Sequence, residues 1–195
     1  MKIVKLEKIG STNDYAKELI KSGCAGRMAV IAAEQSAGRG SGDRSFYSPP
    51  GGVYLSYVMV PETSPEDTAG ITVCAGVAAR RALCALYPGL DIRIKPVNDL
   101  YLNGHKIGGI LTELSRGALV IGVGINVNTL FFPKELNASS LLLETGTETD
   151  PAAVARALLD ELMLLDASWP DCRTSYEEEY SRYRIPEPES PAPNS

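Results

Sequence analysis

Hydrophobic and polar positions change their period several times along the chain, and each change marks an element. Ile3–Ile9 predicts a short strand that Gly10 closes. Ser11 then has the side chain of an N-cap for a helix over Asn13–Lys21, with Asp14 placed for a capping box and Gly23 for the stop. Met28–Ala33 is a compact apolar run and predicts a buried strand, while Val53–Val60 alternates, carries Tyr54 and Tyr57, and predicts another. Between these strands, Gln35–Gly52 has no period and holds Gly38, Gly40, Gly42, Gly51, Gly52, Pro49 and Pro50. A loop of about eighteen residues inside a compact domain points to function rather than connection.

Ser64-Pro65 opens a long helix with Pro65 at its first position and apolar residues at Val73, Val77, Ala78 and Leu83. Asp91–Lys95 predicts a short strand. Leu100–Leu102 and Lys106–Leu114 predict a hairpin joined at Asn103-Gly104, a dipeptide suited to a type I′ turn. Ala118–Asn126 is a further strand after a turn at Arg116-Gly117. Helical spacing returns from Asp150-Pro151 to Trp169, and an acidic helix follows over Asp171–Tyr183. Pro186–Pro193 predicts an extended, mobile tail, so the folded unit is expected over 1–185 and the disordered Pro-rich tail over 186–195. No internal repeat is present. Strands in the middle, with helices at the ends and in one crossover, predict an α+β domain: a mixed β-sheet packed with helices.

Composition narrows the function. The chain has 195 residues, enough for one domain that folds without disulfides. Asp and Glu outnumber Lys and Arg by 24 to 19, for a net charge of −5, which argues against nonspecific nucleic-acid binding. No apolar run approaches the ~20 residues of a membrane span, and Met1–Glu7 lacks the apolar core of a signal peptide. Cys24, Cys74, Cys84 and Cys172 form no CxxC pair, so they read as reduced thiols and the expected location is cytoplasmic. With a single histidine, His105, neither a histidine-based metal site nor a Ser-His-Asp triad is indicated.

Three segments carry candidate chemistry. Gln35-Ser36-Ala37-Gly38-Arg39-Gly40-Ser41-Gly42 brings backbone N–H groups and a forked cation to a place where an anion can approach. It lacks the Gly-Lys-Ser/Thr ending of a Walker A loop, and as composition alone it equally describes a flexible surface loop. Lys95-Pro96-Val97-Asn98-Asp99 leads into Lys106-Ile107-Gly108-Gly109, a lysine at a hairpin mouth followed by two glycines that let a ligand lie close to the strand. In Ile121-Gly122-Val123-Gly124-Ile125-Asn126 the two glycines fall on one strand face, leaving either a flat groove or a packing gap beneath a helix.

Taken in order, these segments resemble the catalytic domain of biotin protein ligases. The resemblance runs through Ser11-Thr12-Asn13, Ala33–Gly40, Phe46-Tyr47-Ser48-Pro49, Asn98–Gly104, Lys106–Glu113 and Gly122–Asn126, over roughly residues 1–185. It implies the fold of the biotin–lipoate ligase catalytic domain, similar to class II aminoacyl-tRNA synthetases. It also implies ATP and biotin as substrates with Mg²⁺ assistance: biotin's carboxylate attacks the α-phosphate of ATP, and a lysine of a biotin carboxyl carrier domain then attacks biotinyl-5′-AMP. Bringing two anions together requires positive charge and backbone donors, and Arg39 and Lys106 are the cations of the matched motifs. By the same resemblance Ser11, Thr12, Asn13 and Gln35 hold biotin, Arg39, Gly40 and Ser41 form a loop that closes over it, and Gly38 and Lys106 also belong to the substrate site. The resemblance further implies that Gly122 and Gly124 floor the groove, that Asn98 and Asn126 belong to the nucleotide, and that Asp99 is catalytic, beside the phosphate and the incoming lysine. Sheet-edge pairing into a homodimer is compatible with the family.

The chain departs from the family pattern at three places. Ser41 stands where a second arginine is usual, with Asp43 nearby, so the loop is expected to hold the adenylate less tightly. Pro96-Val97 replaces a tryptophan-containing pair. Neither a C-terminal β-barrel nor an N-terminal helix-turn-helix is expected with this domain, and repression on DNA is not expected either. The alternatives are a weak or inactive relative that binds biotin or an adenylate, and a lipoyl or octanoyl transferase of the same fold. The second ranks lower, because no cysteine lies in the matched motifs.

Overall fold

Seven strands, interleaved with helices, make one mixed sheet in a computed structural model that describes residues 1–60, 68–96 and 98–186. In chain order they are β1 (Lys2–Ile9), α1 (Thr12–Lys21), β2 (Met28–Gln35), β3 (Gly52–Met59), α2 (Thr68–Leu86), β4 (Arg93–Lys95), β5 (Asp99–Leu102), β6 (His105–Ser115), β7 (Ala118–Asn126), α3 (Leu141–Thr145), α4 (Pro151–Ser168) and α5 (Arg173–Tyr183). The sheet order is β1-β2-β3-β7-β6-β5-β4. β1 and β2 are parallel, as a strand pair with an α1 crossover must be, and the other neighbours are antiparallel. The predicted α+β class and mixed sheet are therefore correct.

Alternation sorts each strand between two layers. Leu55, Tyr57 and Met59 of β3 and Leu119, Ile121, Val123 and Ile125 of β7 pack with Val77, Leu83, Leu158 and Leu162 of α2 and α4. On the opposite face Val30, Val58 and Val120 lie with Ala16 beneath α1. Past Val120 that same face of β7 continues as Gly122 and Gly124. There the side chains stop and a cavity begins.

Both predicted turns have the backbone of a type I′ pair, with φ of 51° and 84° at Asn103-Gly104 and 48° and 80° at Arg116-Gly117. Ser11 caps α1 by accepting the Asp14 N–H, and Asp150 caps α4 by accepting the Ala152 N–H. The Asp14 carboxylate completes no capping box and turns instead to Lys17 and Arg39. Other boundaries shift modestly. β2 extends to Gln35, which makes that residue part of a strand rather than the loop, and β4 is shorter than predicted. Helix α3, capped by Ser140 and ended by Gly146 at φ 70°, lies in a stretch where no element was predicted. The helix start at Ser64-Pro65, Val97 and the tail beyond Pro186 lie outside the described residues. No described helix is long and apolar enough to cross a membrane.

Candidate active site

The start of α1 reaches across the sheet through a chain of side-chain hydrogen bonds. The backbone N–H and Oγ1 of Thr12 both donate to Gln35 Oε1, at 2.8 and 3.0 Å. Gln35 Nε2 donates to Ser48 Oγ, which donates to the Phe46 carbonyl. Buried Ser56 donates to Asn13 Oδ1 at 2.6 Å and sits 2.8 Å from Thr12 Oγ1. Asn13 Nδ2 donates to the Leu111 carbonyl and to Glu113 Oε2. With both ends of its amide engaged, Asn13 has one orientation, and it lies where a Cβ on Gly122 would stand. Gly124 is glycine for a similar reason, since a Cβ there would be 2.7 Å from the Phe46 ring. The glycine face is thus less a bare floor than two slots, one filled by Asn13 and one by Phe46.

Around these slots lies a cavity of about 230 Å³. Of the residues expected to form the site, Ser11, Thr12, Asn13, Gln35, Arg39, Gly40, Ser41, Asn98, Asp99, Lys106, Gly122 and Gly124 all line it. Gly38 does not line it. It is tucked against the Phe46 carbonyl and Ser48 Oγ, too close for any Cβ, and so shapes the loop from behind. Asn98 belongs to this first cavity rather than to the one that holds Asn126, and its amide is engaged by the Ile110 carbonyl at 2.6 Å.

Lys106, Arg39 and Lys17 each face a carboxylate. Lys106 Nζ is 2.7 Å from Asp99 Oδ1 and 5.6 Å from the centre of the Phe46 ring. Arg39 is 2.8 Å from Asp14 and 3.4 Å from Glu113, and Lys17 is 2.8 and 2.9 Å from the same two acids. Burial pushes the Asp14 carboxyl up, but hydrogen bonds and charge from Lys17 and Arg39 outweigh it, and its pKa falls below the ordinary value. The hydrogen bond to Asp14, with the charge of Glu113, raises that of Arg39. In the loop, Arg44 folds back so that its guanidinium donates to the Ser41 hydroxyl and carbonyl, and it too lines the cavity.

A second cavity of about 420 Å³ adjoins the first, and Ser45, Phe46, Lys106 and Leu136 line both. Tyr47 and Phe132 meet edge to face at 6.1 Å on its wall. Asn126, 3% exposed, donates through Nδ2 to the Ser139 carbonyl, while its Oδ1 is buried with no partner. A larger groove of about 470 Å³ between β1, β2 and α4 lacks such converging polar groups. The sequence motifs contained Phe46 and Glu113 without a role for either, and Asp14, Lys17, Arg44 and Ser56 were not marked as site residues.

Comparison with known proteins shows the family and the fold. Residues 6–129 match the Biotin/lipoate A/B protein ligase family, so the chain belongs to that family. Within it, the fold is that of a biotin protein ligase catalytic domain. The chain is 35% identical over 161 residues to the bifunctional ligase/repressor BirA of Bacillus spizizenii, covering 77% of this chain and 49% of that protein. It is 35% identical over 175 residues to the biotin–[acetyl-CoA-carboxylase] ligase of Paracoccus denitrificans, covering 84% and 71%. A biotin protein ligase from Aquifex aeolicus in complex with biotin and ATP superposes with a TM-score of 0.85 at 26% identity, covering 94% of this chain and 78% of that one. The chain spans about half the length of the BirA-type relatives it matches.

Proposed function

We propose that this chain condenses biotin with ATP to biotinyl-5′-AMP, releasing pyrophosphate, and transfers the biotinyl group to a lysine of a carrier-protein domain, releasing AMP, in the cytoplasm. The observation that carries this reading is the wall shared by the two cavities. A carboxylate held in one and a nucleotide in the other meet at that wall, and Lys106 stands on it. The Lys106 charge offsets the repulsion between carboxylate and α-phosphate and grows in value as negative charge accumulates on the phosphate. Arg39 and the loop backbone supply further donors at the cavity rim. Asn126 lines the second cavity and has a partnerless acceptor in Oδ1, which suits the exocyclic amine of adenine.

In the first cavity, Thr12, Asn13 and Gln35 present a preset array of donors and acceptors to the ureido ring, and Phe46 covers its apolar tail. Asp99, already against Lys106, is the carboxylate placed beside the carrier amine, which must lose a proton before it attacks. Among the described residues no cluster of three or more His, Cys, Asp or Glu is placed for a metal ion. Mg²⁺ commonly takes one or two carboxylates with substrate phosphates, a donor set that Asp99 fits, and it would neutralise phosphate charge there.

Calorimetry with biotin alone and with biotin plus ATP, followed by labelling of a carrier domain, tests the proposal. The expected result is biotin binding that tightens with ATP, and one label per carrier at its single target lysine. Binding without labelling would assign the chain to adenylate-binding relatives. Lipoate bound in preference to biotin would move it to the other branch of the family.

A further inference from the structure

The Arg39 guanidinium faces two carboxylates from two different elements, Asp14 on α1 and Glu113 on β6, while itself lining the first cavity. Lys17 bridges the same two acids from below, and Asn13 fixes the other oxygen of Glu113. Two acids and two bases make the group neutral. We infer that Asp14 and Glu113 form a carboxylate latch, holding Arg39 at the rim so that an anionic ligand must displace them before it gains the guanidinium charge. This rests on the proposed function for what the anion is: the carboxylate of biotin or the phosphate of its adenylate.

Three consequences follow from the geometry. Arg39 and Asp14 are each half exposed, at 43% and 42%, so their pair is weak enough to exchange. A neutral ligand gains nothing from exchange and is indifferent to the latch. Because Lys17 stays with the two acids, they keep a cation after Arg39 leaves, which removes the cost of stranding bare carboxylates. Asp14 and Glu113 are accordingly positioning residues that tune the affinity for charge without touching the reacting atoms.

The test compares wild type, Asp14→Asn, Asp14→Glu and Asp14→Asn/Glu113→Gln by calorimetry with three probes: inorganic pyrophosphate, biotin, and biotinol, whose carboxylate is replaced by an alcohol. Removing one carboxylate charge should tighten pyrophosphate and biotin about two- to fivefold, and removing both about tenfold. Biotinol should bind all four proteins alike, and Asp14→Glu should restore wild-type affinities. Thermal melts confirm that each variant is folded. Equal pyrophosphate affinity in wild type and Asp14→Asn overturns the latch, as does a biotinol affinity that rises in step with that of biotin. If neither biotin nor biotinol binds wild type, the proposed function fails while the pyrophosphate comparison still decides the latch.

Discussion

Two arginine–carboxylate networks sit on opposite layers of this sheet, built of the same groups to different ends. On the helical layer, Arg80 donates to the Ile92 carbonyl, pairs with Glu179 at 3.2 Å and lies 3.2 Å from the centre of the Tyr183 ring. Arg81 donates twice to Glu179 and covers Tyr176. These contacts bind α5 to α2, and the Arg80 side chain is only 10% exposed. At the cavity rim, Arg39 has two carboxylates within 3.4 Å yet is 43% exposed. Partners that stack and exclude water make a charge pair part of the fold. Partners open to water leave it exchangeable, which is what a ligand-binding cation needs.

The largest effect separating these roles concerns Lys106, paired like Arg39 but set on the wall between two cavities. Lys106→Ala should slow adenylate formation by about 3–4 kcal/mol of barrier while leaving biotin affinity nearly unchanged. Pyrophosphate release at saturating biotin and ATP reads the rate. An unaltered rate would return Lys106 to an ordinary solvated hairpin lysine.

Arg80→Ala should do the opposite. Loss of its carbonyl hydrogen bond, ion pair and ring contact should cost about 2–4 kcal/mol of stability, because Glu179 and the Ile92 carbonyl lose a partner in a nearly dry place. Urea unfolding would register this as a lower midpoint with biotin affinity unmoved. A variant with weakened ligand binding and an intact midpoint would invert the comparison.

The helical layer was far more legible in the sequence than the rim. Alternation in β3, the Asn103-Gly104 and Arg116-Gly117 turns, and the helical spacing from Asp150-Pro151 to Trp169 are local signals, and local signals survive in a one-dimensional string. The α3 segment was missed because five residues are too few to show a helical period. At the site, resemblance supplied most cavity residues, but their pairings span long distances in sequence. Asn13 meets Glu113 a hundred residues away, and Asp14 meets Arg39 across the β1–β2 crossover. Phe46 earned no role from its place in the loop, although the glycine facing it at Gly124 was the visible half of that contact. Asn126 was assigned to the nucleotide by resemblance alone; its orphaned acceptor appears only once the backbone carbonyl that binds its amide is located.

Arg44 changes the expectation attached to Ser41. The sequence implies a loop short of one arginine, and therefore faster loss of the adenylate. The structure returns a guanidinium to that point from across the loop, anchored on Ser41 itself. Arg44→Ala should then speed dissociation of preformed biotinyl-5′-AMP about tenfold, the effect of one charge-assisted hydrogen bond. Ser41→Arg should change it little, since the new side chain displaces Arg44 from its anchor. A marked slowing by Ser41→Arg would mean that Arg44 does not substitute for the missing arginine.

The smallest effect is the acid response of the rim. Asp14 has a folded pKa below its ordinary value, so on acidification the unfolded chain takes up its proton first. The stabilisation from its ion pairs is therefore fully present above the ordinary aspartate range and is lost as pH falls through the depressed value. Lys17 mirrors it: burial lowers its pKa, but hydrogen bonds and charge from Asp14 and Glu113 outweigh burial, and the net shift is upward. Its contribution is complete below the ordinary lysine range and is lost as pH rises through the raised value. Neutral pH lies on the plateau for both. Solvent screening at these half-open positions limits Asp14 to about 0.2–1 kcal/mol. Urea midpoints of wild type and Asp14→Asn should differ by a small constant amount across neutral pH and converge in acid. Coincident midpoints at every pH would mean that the rim network contributes nothing to the fold and acts on ligands alone, which would widen the contrast with Arg80 rather than close it.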